Sequence, residues 1–101
     1  MGEITVEDLK AKMDRKEDFV FIDVREPYEF DEFNLGAKLI PLGEFMDNIP
    51  GLEQYRDNEI IIHCRSGKRS GMATEVLTSA GFPNVKNMVG GVLRWQEVFP
   101  S

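Results

Sequence analysis

The sequence contains one cysteine, Cys64, so no disulfide can form within the chain and any covalent sulfur chemistry at that thiol must be resolved by another molecule. Positive charge is in deficit: 12 Lys and Arg stand against 18 Asp and Glu, a formal net charge of −6. Nucleic acid and anionic membrane surfaces are repelled overall by that balance, and neither is expected as a partner. No stretch approaches the roughly 20 apolar residues that a membrane span requires. The opening residues Met1 to Asp8 are acidic and lack an apolar signal core, so the expected address is the cytoplasm. Internal repeats and low-complexity segments are absent, and Pro and Gly serve only as punctuation.

What is present suits a soluble globular chain. The 101 residues are 42% apolar and 30% charged, enough to bury one core and solvate one surface. A single domain over residues 1–101 is expected, because this length is too short for two separate cores.

Short strands alternate with helices along the chain. Ile4 leads into a helix capped by Thr5 and running to about Met13, with Asp8 at the third position of a capping-box variant. Phe19 to Val24 is a continuous apolar run rich in β-branched and aromatic residues, the pattern of a buried parallel strand. Pro27 suits the first turn of a short helix to about Phe33, Gly36 marks a turn, and Ala37 to Pro41 is a short extended piece. A helix from Gly43 to Ile49 is expected to end at Pro50-Gly51, with a polar connection following through Asp57-Asn58.

Ile60-Ile61-Ile62-His63 is the strongest strand signal, and it runs directly into Cys64-Arg65-Ser66-Gly67-Lys68-Arg69-Ser70-Gly71. The next helix, about Ser70 to Ala80, puts Met72, Ala73, Val76 and Leu77 on one face and stops at Gly81. Val85 to Val89 is a last strand, Gly90-Gly91 a turn, and Val92 to Phe99 a closing helix. The pattern predicts an α/β fold in three layers, with a mainly parallel central sheet of about five short strands and helices on both faces. Trp95, Met46, Met72 and Met88 are assigned to the core.

Cys64 lies at the carboxyl end of a strand, where ligands collect in open α/β sheets. The positive end of the following helix, inward-facing N–H groups of a tight loop, and Arg65, Lys68 and Arg69 all favour a thiolate there. Its pKa is expected below the free-cysteine value of about 8.5. The competing view, a small buried hydrophobe, fits poorly with two glycines, two serines and three cations nearby. His63 is adjacent, but neighbouring residues of a strand point to opposite faces, so it is read as structural rather than as a general base.

Three separated segments resemble the rhodanese family, over nearly the whole chain. Asp23-Val24-Arg25-Glu26-Pro27-Tyr28-Glu29-Phe30 resembles the family's strand-to-helix segment D-V-R-E-P-x-E-[FY]. Cys64 to Ser70 resembles its active-site loop, and Asn87-Met88-Val89-Gly90-Gly91-Val92-Leu93-Arg94-Trp95 its closing element [YN]-[LM]-x-G-G-[IV]-x-x-W. The resemblance implies a sulfurtransferase of the thiosulfate type. Cys64 would be the nucleophile, taking the outer sulfur of a small anionic donor to become a persulfide. An acceptor thiol, cyanide or a partner protein would then remove that sulfur. Arg65, Ser66, Gly67, Lys68, Arg69 and Ser70 would bind the donor, the backbone N–H groups holding the sulfur and the cations attracting the anion. Asp23 and Arg25 would secure the loop by an ion pair and hydrogen bonds, and neither metal nor organic cofactor is implied.

One segment departs from the family. Phe33-Asn34-Leu35-Gly36-Ala37 stands where many members have G-H-I-x-G-A, without the histidine and one residue shorter. It is similar to a pattern in rhodanese-like domains fused to adenylating enzymes that feed sulfur into cofactor synthesis. Two rival readings share the fold: a cell-division-cycle type phosphatase or arsenate reductase, and a non-catalytic binding module. The phosphatase-like enzymes use C-x5-R, whereas here Ser70 is sixth after Cys64 and Arg69 gives the shorter C-x4-R. Retention of Cys64 with its basic loop speaks against the binding module.

Overall fold

The computed structural model describes residues 2–100; Met1 and Ser101, part of the expected 1–101 domain, lie outside the described residues. Its strands are β1 (Gly2–Ile4), β2 (Val20–Asp23), β3 (Lys38–Leu39), β4 (Ile60–His63) and β5 (Val85–Met88). Between and after them run α1 (Val6–Asp14), α2 (Pro27–Glu32), α3 (Leu42–Leu52), a 3₁₀ turn (Glu53–Tyr55), α4 (Lys68–Ser79) and α5 (Gly91–Val98). The sheet order is β1-β5-β4-β2-β3, and every neighbouring pair is parallel, so the expected mainly parallel sheet is parallel throughout the described residues.

β4 is the middle strand, and all four of its residues are buried, as a strand covered on both faces requires. Its alternation divides the core in two. Ile60 and Ile62 join Ile22 against Phe45 and Leu52 of α3 and Ala73 and Leu77 of α4. Ile61 points the other way, joining Ile4 and Met88 against Val6 and Leu9 of α1 and Trp95 of α5. Thr5 Oγ1 accepts from Asp8 N at 3.1 Å, so α1 starts at the expected cap.

Two expectations need correction. Helix α3 does not end at Ile49 but continues through Pro50 and Gly51 to Leu52. Proline costs one backbone donor there, in the last turns, and the burial of Leu52 in the core holds the extra turn in place. Of the three methionines assigned to the core, only Met88 is buried; Met46 is 65% and Met72 58% exposed. On α4, Ala73 and Leu77 face the sheet, and Met72 falls on the flank of that apolar stripe.

The topology decides where a site can form. From β2 the chain moves outward to β3 by way of α2, while from β4 it moves the opposite way to β5 by way of α4. The carboxyl ends of β2 and β4 are neighbours, so their outgoing segments part company there and leave a crevice, the usual ligand position in such sheets. Cys64 directly follows β4 at this point, and Arg25 stands two residues past the end of β2.

Candidate active site

The segment Cys64 to Gly67 bends tightly between β4 and α4, and the bend is set by hydrogen bonds on its outer side. Val92 N donates to Cys64 O and Leu93 N to Arg65 O, both at 3.0 Å, so the first turn of α5 takes up the loop carbonyls. With its carbonyls held outward, the loop turns N–H groups inward. Gly91 makes this approach possible: at φ +59° it is in the left-handed region, and a Cβ there would collide with the Arg65 carbonyl. Gly67, at φ +101°, caps α4 in the same region.

Cys64 Sγ sits at the focus of these groups. Gly67 N donates to it at 3.1 Å, and the Ser70 hydroxyl lies 3.3 Å away. Burial by itself pushes the thiol up, but the Ser70 hydroxyl and the backbone N–H groups of Ser70, Gly67 and Ser66 outweigh it, and the Cys64 pKa is lowered below the ordinary range. The direction matches expectation, while the dominant lowering comes from hydrogen bonds rather than from Arg or Lys side chains. Cys64 has no exposed surface and packs into the apolar cluster of Ile22 and Ile62. A buried cysteine acting only as a small hydrophobe would not collect donors on its sulfur.

The cations around the loop have separate fates. Arg69 is committed to Glu29 in a two-pronged ion pair, Nη1 to Oε1 at 2.7 Å and Nη2 to Oε2 at 3.0 Å. The Arg69 guanidinium donates hydrogen bonds that, against the opposing effect of burial, hold the Glu29 carboxyl down at about 2. Arg65 and Lys68 are exposed and, among the described residues, form no ion pair. Arg65 and Arg69 line a cleft of about 600 Å³ between α2 and the start of α5, whose other walls include Tyr28, Glu32 and Leu93. Ser66, Gly67, Lys68 and Ser70 do not line that cleft.

Asp23 and Arg25 form the expected buried pair. Arg25 Nε donates to Asp23 Oδ1 at 3.0 Å and Nη2 to Oδ2 at 2.8 Å, while Nη2 also reaches Phe33 O at 2.6 Å and Nη1 reaches Glu29 O at 3.3 Å. This fork ties the end of β2 to the middle of α2 and to its C-cap. His63 faces away from Cys64, on the side of Ile61, with its ring 5.1 Å from that of Phe21. Neither ring nitrogen has a hydrogen-bond partner among the described residues.

Two contributors went unassigned in the sequence. Glu29 both holds Arg69 and accepts from Glu26 N at 3.0 Å, and its place three residues after Glu26 is a capping-box spacing that could have drawn attention to it. Asn87 accepts from Ser70 Oγ at 2.6 Å and donates from Nδ2 to Gly67 O at 3.1 Å. That contact depends on β5 pairing with β4, which no local pattern reveals.

Comparison with known proteins agrees with this architecture. The family model described as Rhodanese-like domain matches residues 5–98, and the chain belongs to that family. A sulfurtransferase of Allochromatium vinosum is 34% identical over 101 residues, covering 94% of this chain and 88% of that protein. The candidate sulfur carrier protein YrkF of Bacillus subtilis is 38% identical over 94 residues, covering 92% of this chain, and the chain spans 50% of YrkF's length. The crystal structure of a rhodanese-like domain protein from Staphylococcus aureus superposes with a TM-score of 0.83 at 30% identity, covering 94% of this chain and 91% of that one. The chain is thus a rhodanese-like domain with sulfurtransferase and sulfur-carrier relatives. Among the described residues, no helix is long and apolar enough to cross a membrane.

Proposed function

We propose that this domain moves sulfane sulfur from a small anionic donor such as thiosulfate to a thiol, cyanide or a protein acceptor, through a persulfide on Cys64. The observation that carries the reading is the set of donors converging on a buried sulfur: the Gly67 N–H at 3.1 Å and the Ser70 hydroxyl at 3.3 Å, with burial opposing ionisation and losing. Such a cradle stabilises a sulfur anion before and after loading.

In the first half-reaction the Cys64 thiolate attacks the outer sulfur of thiosulfate. The new Cys64 S–S bond forms as the donor's S–S bond breaks, and sulfite leaves with the electron pair. The negative charge of the enzyme moves to the outer sulfur of the persulfide. In the second, an acceptor thiolate attacks that outer sulfur, the Cys64 S–S bond breaks and the thiolate is restored, so charge and sulfur balance over the cycle. Arg65 and Lys68, exposed and unpaired among the described residues, would draw the anionic donor to the mouth. Asp23 and Arg25 would keep the ends of β2 and α2 fixed beside the loop.

The same geometry disfavours an oxyanion-cleaving phosphatase or arsenate reductase. The guanidinium that would have to grip a tetrahedral oxyanion, that of Arg69, is already held at both ends by Glu29. A cytoplasmic location remains part of this proposal, as does a single functional domain over residues 1–101.

The test is thiocyanate production from thiosulfate and cyanide by the purified protein and by Cys64→Ser. The serine variant should lose the activity completely while keeping its far-ultraviolet circular dichroism and unfolding midpoint, since the substitution removes the nucleophile at small steric cost. Undiminished turnover by Cys64→Ser would end the assignment.

A further inference from the structure

Ser70 has one hydroxyl proton and two acceptors in reach, Asn87 Oδ1 at 2.6 Å and Cys64 Sγ at 3.3 Å. The direction of the Asn87 amide is set by its other end. Gly67 O can only accept, so it must face the Nδ2 donor, 3.1 Å away, and Oδ1 is thereby turned to Ser70. Ser70 also has its backbone fixed, because its carbonyl accepts from Thr74 Oγ1 at 2.7 Å. Asn87 reaches this position from β5, where it pairs with Ile62 of β4, and its amide lies beside Gly71, where a Cβ would stand in ordinary contact at 3.4 Å from Nδ2.

We propose that Asn87 is a positioning residue for Cys64: its Nδ2 holds the Gly67 carbonyl, which also accepts from Gly71 N at 3.0 Å, and so steadies the residue whose own N–H is aimed at Sγ, while its Oδ1 competes with Sγ for the Ser70 proton. With a neutral thiol, the amide oxygen is the better acceptor and takes the hydroxyl proton, leaving the Ser70 oxygen to accept from the thiol. With a thiolate, the charged sulfur draws the same proton and Oδ1 gives it up. The hydroxyl therefore follows the charge on sulfur. The two ends of Asn87 act in opposite directions, the clamp on Gly67 favouring the thiolate and the competition for Ser70 opposing it.

The inference rests on the reading of Cys64 as the reacting sulfur, but its test reads the thiolate directly and needs no sulfur transfer. The rate of iodoacetamide alkylation is measured against pH for the wild type, Asn87→Leu, Ser70→Ala and the double variant. In the Ser70→Ala background only the clamp remains to be lost, so adding Asn87→Leu should raise the apparent Cys64 pKa. With Ser70 in place, the same substitution also frees the hydroxyl for Sγ, and its shift should lie lower by about half a pH unit, roughly a threefold difference in rate below the pKa. Equal shifts in the two backgrounds would overturn the competition, and the absence of an upward shift in the Ser70→Ala background would overturn the clamp. Asn87→Ala, which adds no bulk to the β5 flank, carries the same expectation should the leucine variant not fold. A protein that alkylates as expected yet takes no sulfur from any sulfane donor would sink the functional reading and leave this inference standing.

Discussion

His63 shows how a side chain next to Cys64 in sequence can matter to stability while facing away from its sulfur. It is fully buried, and burial pushes its imidazole down to about 4; the Asp23 carboxylate, 3.7 Å away, pulls in the other direction and Arg25 opposes that pull. The folded protein therefore keeps the ring neutral while the unfolded chain takes up a proton near pH 6.5. The associated stability is fully present above pH 6.5 and is lost as pH falls toward 4. Urea unfolding of the wild type is expected to lose roughly 3 kcal/mol between those limits, and His63→Leu should lack that slope. Identical slopes in both proteins would mean that the ring titrates freely. Below about pH 4.5 a second loss begins, as the Glu29 carboxylate paired with Arg69 is driven toward protonation.

Individual elements differ in how openly the sequence announces them. β4 is plain because three isoleucines run together and the strand stops after His63 at a loop of glycine, serine and charge. α1 was plain from its threonine cap, and the site loop from the chemistry crowded around Cys64. The end of α3 was not, because the penalty attached to Pro50 is local, whereas the burial of Leu52 that overrides it is tertiary. α4 starts at Lys68, two residues before the expected Ser70, because Gly67 supplies a left-handed cap and Lys68 and Arg69, loop-like by composition, form its first turn. Asn87 stayed hidden for a related reason: its partners lie 17 and 20 residues away in sequence.

The methionines make the same point quantitatively. Periodicity puts Met72 with Ala73 and Val76, yet Met72 and Met46 are exposed, lining with the half-buried Ile49 and Val76 a groove between α3 and α4. Met72→Gln is accordingly expected to change unfolding free energy by no more than about 0.5 kcal/mol. Met88→Ala, at a side chain fully buried with Leu9 of α1 and Trp95 of α5, should cost about 2–5 kcal/mol. Comparable losses from the two substitutions would contradict the assigned packing.

Taken together, the domain is an acidic body with a small cationic mouth. The net charge of −6 is spread over the surface, while Arg65 and Lys68 stand exposed beside a sulfur held by Gly67 and Ser70. The parallel sheet places that sulfur where β2 and β4 send their chains apart, and the closing helix α5 fixes the loop from behind through the carbonyls of Cys64 and Arg65. Fold, loop and charge thus converge on one atom, Cys64 Sγ. The decisive experiment is the intact mass of the purified protein before and after thiosulfate and again after a reducing thiol, with Cys64→Ser alongside. A gain of about 32 Da, one sulfur atom, that appears with thiosulfate, disappears with the thiol and is missing from Cys64→Ser is the expected result. A gain of the same size in the serine variant, or none in either protein with any sulfane donor, would contradict a persulfide carried on Cys64.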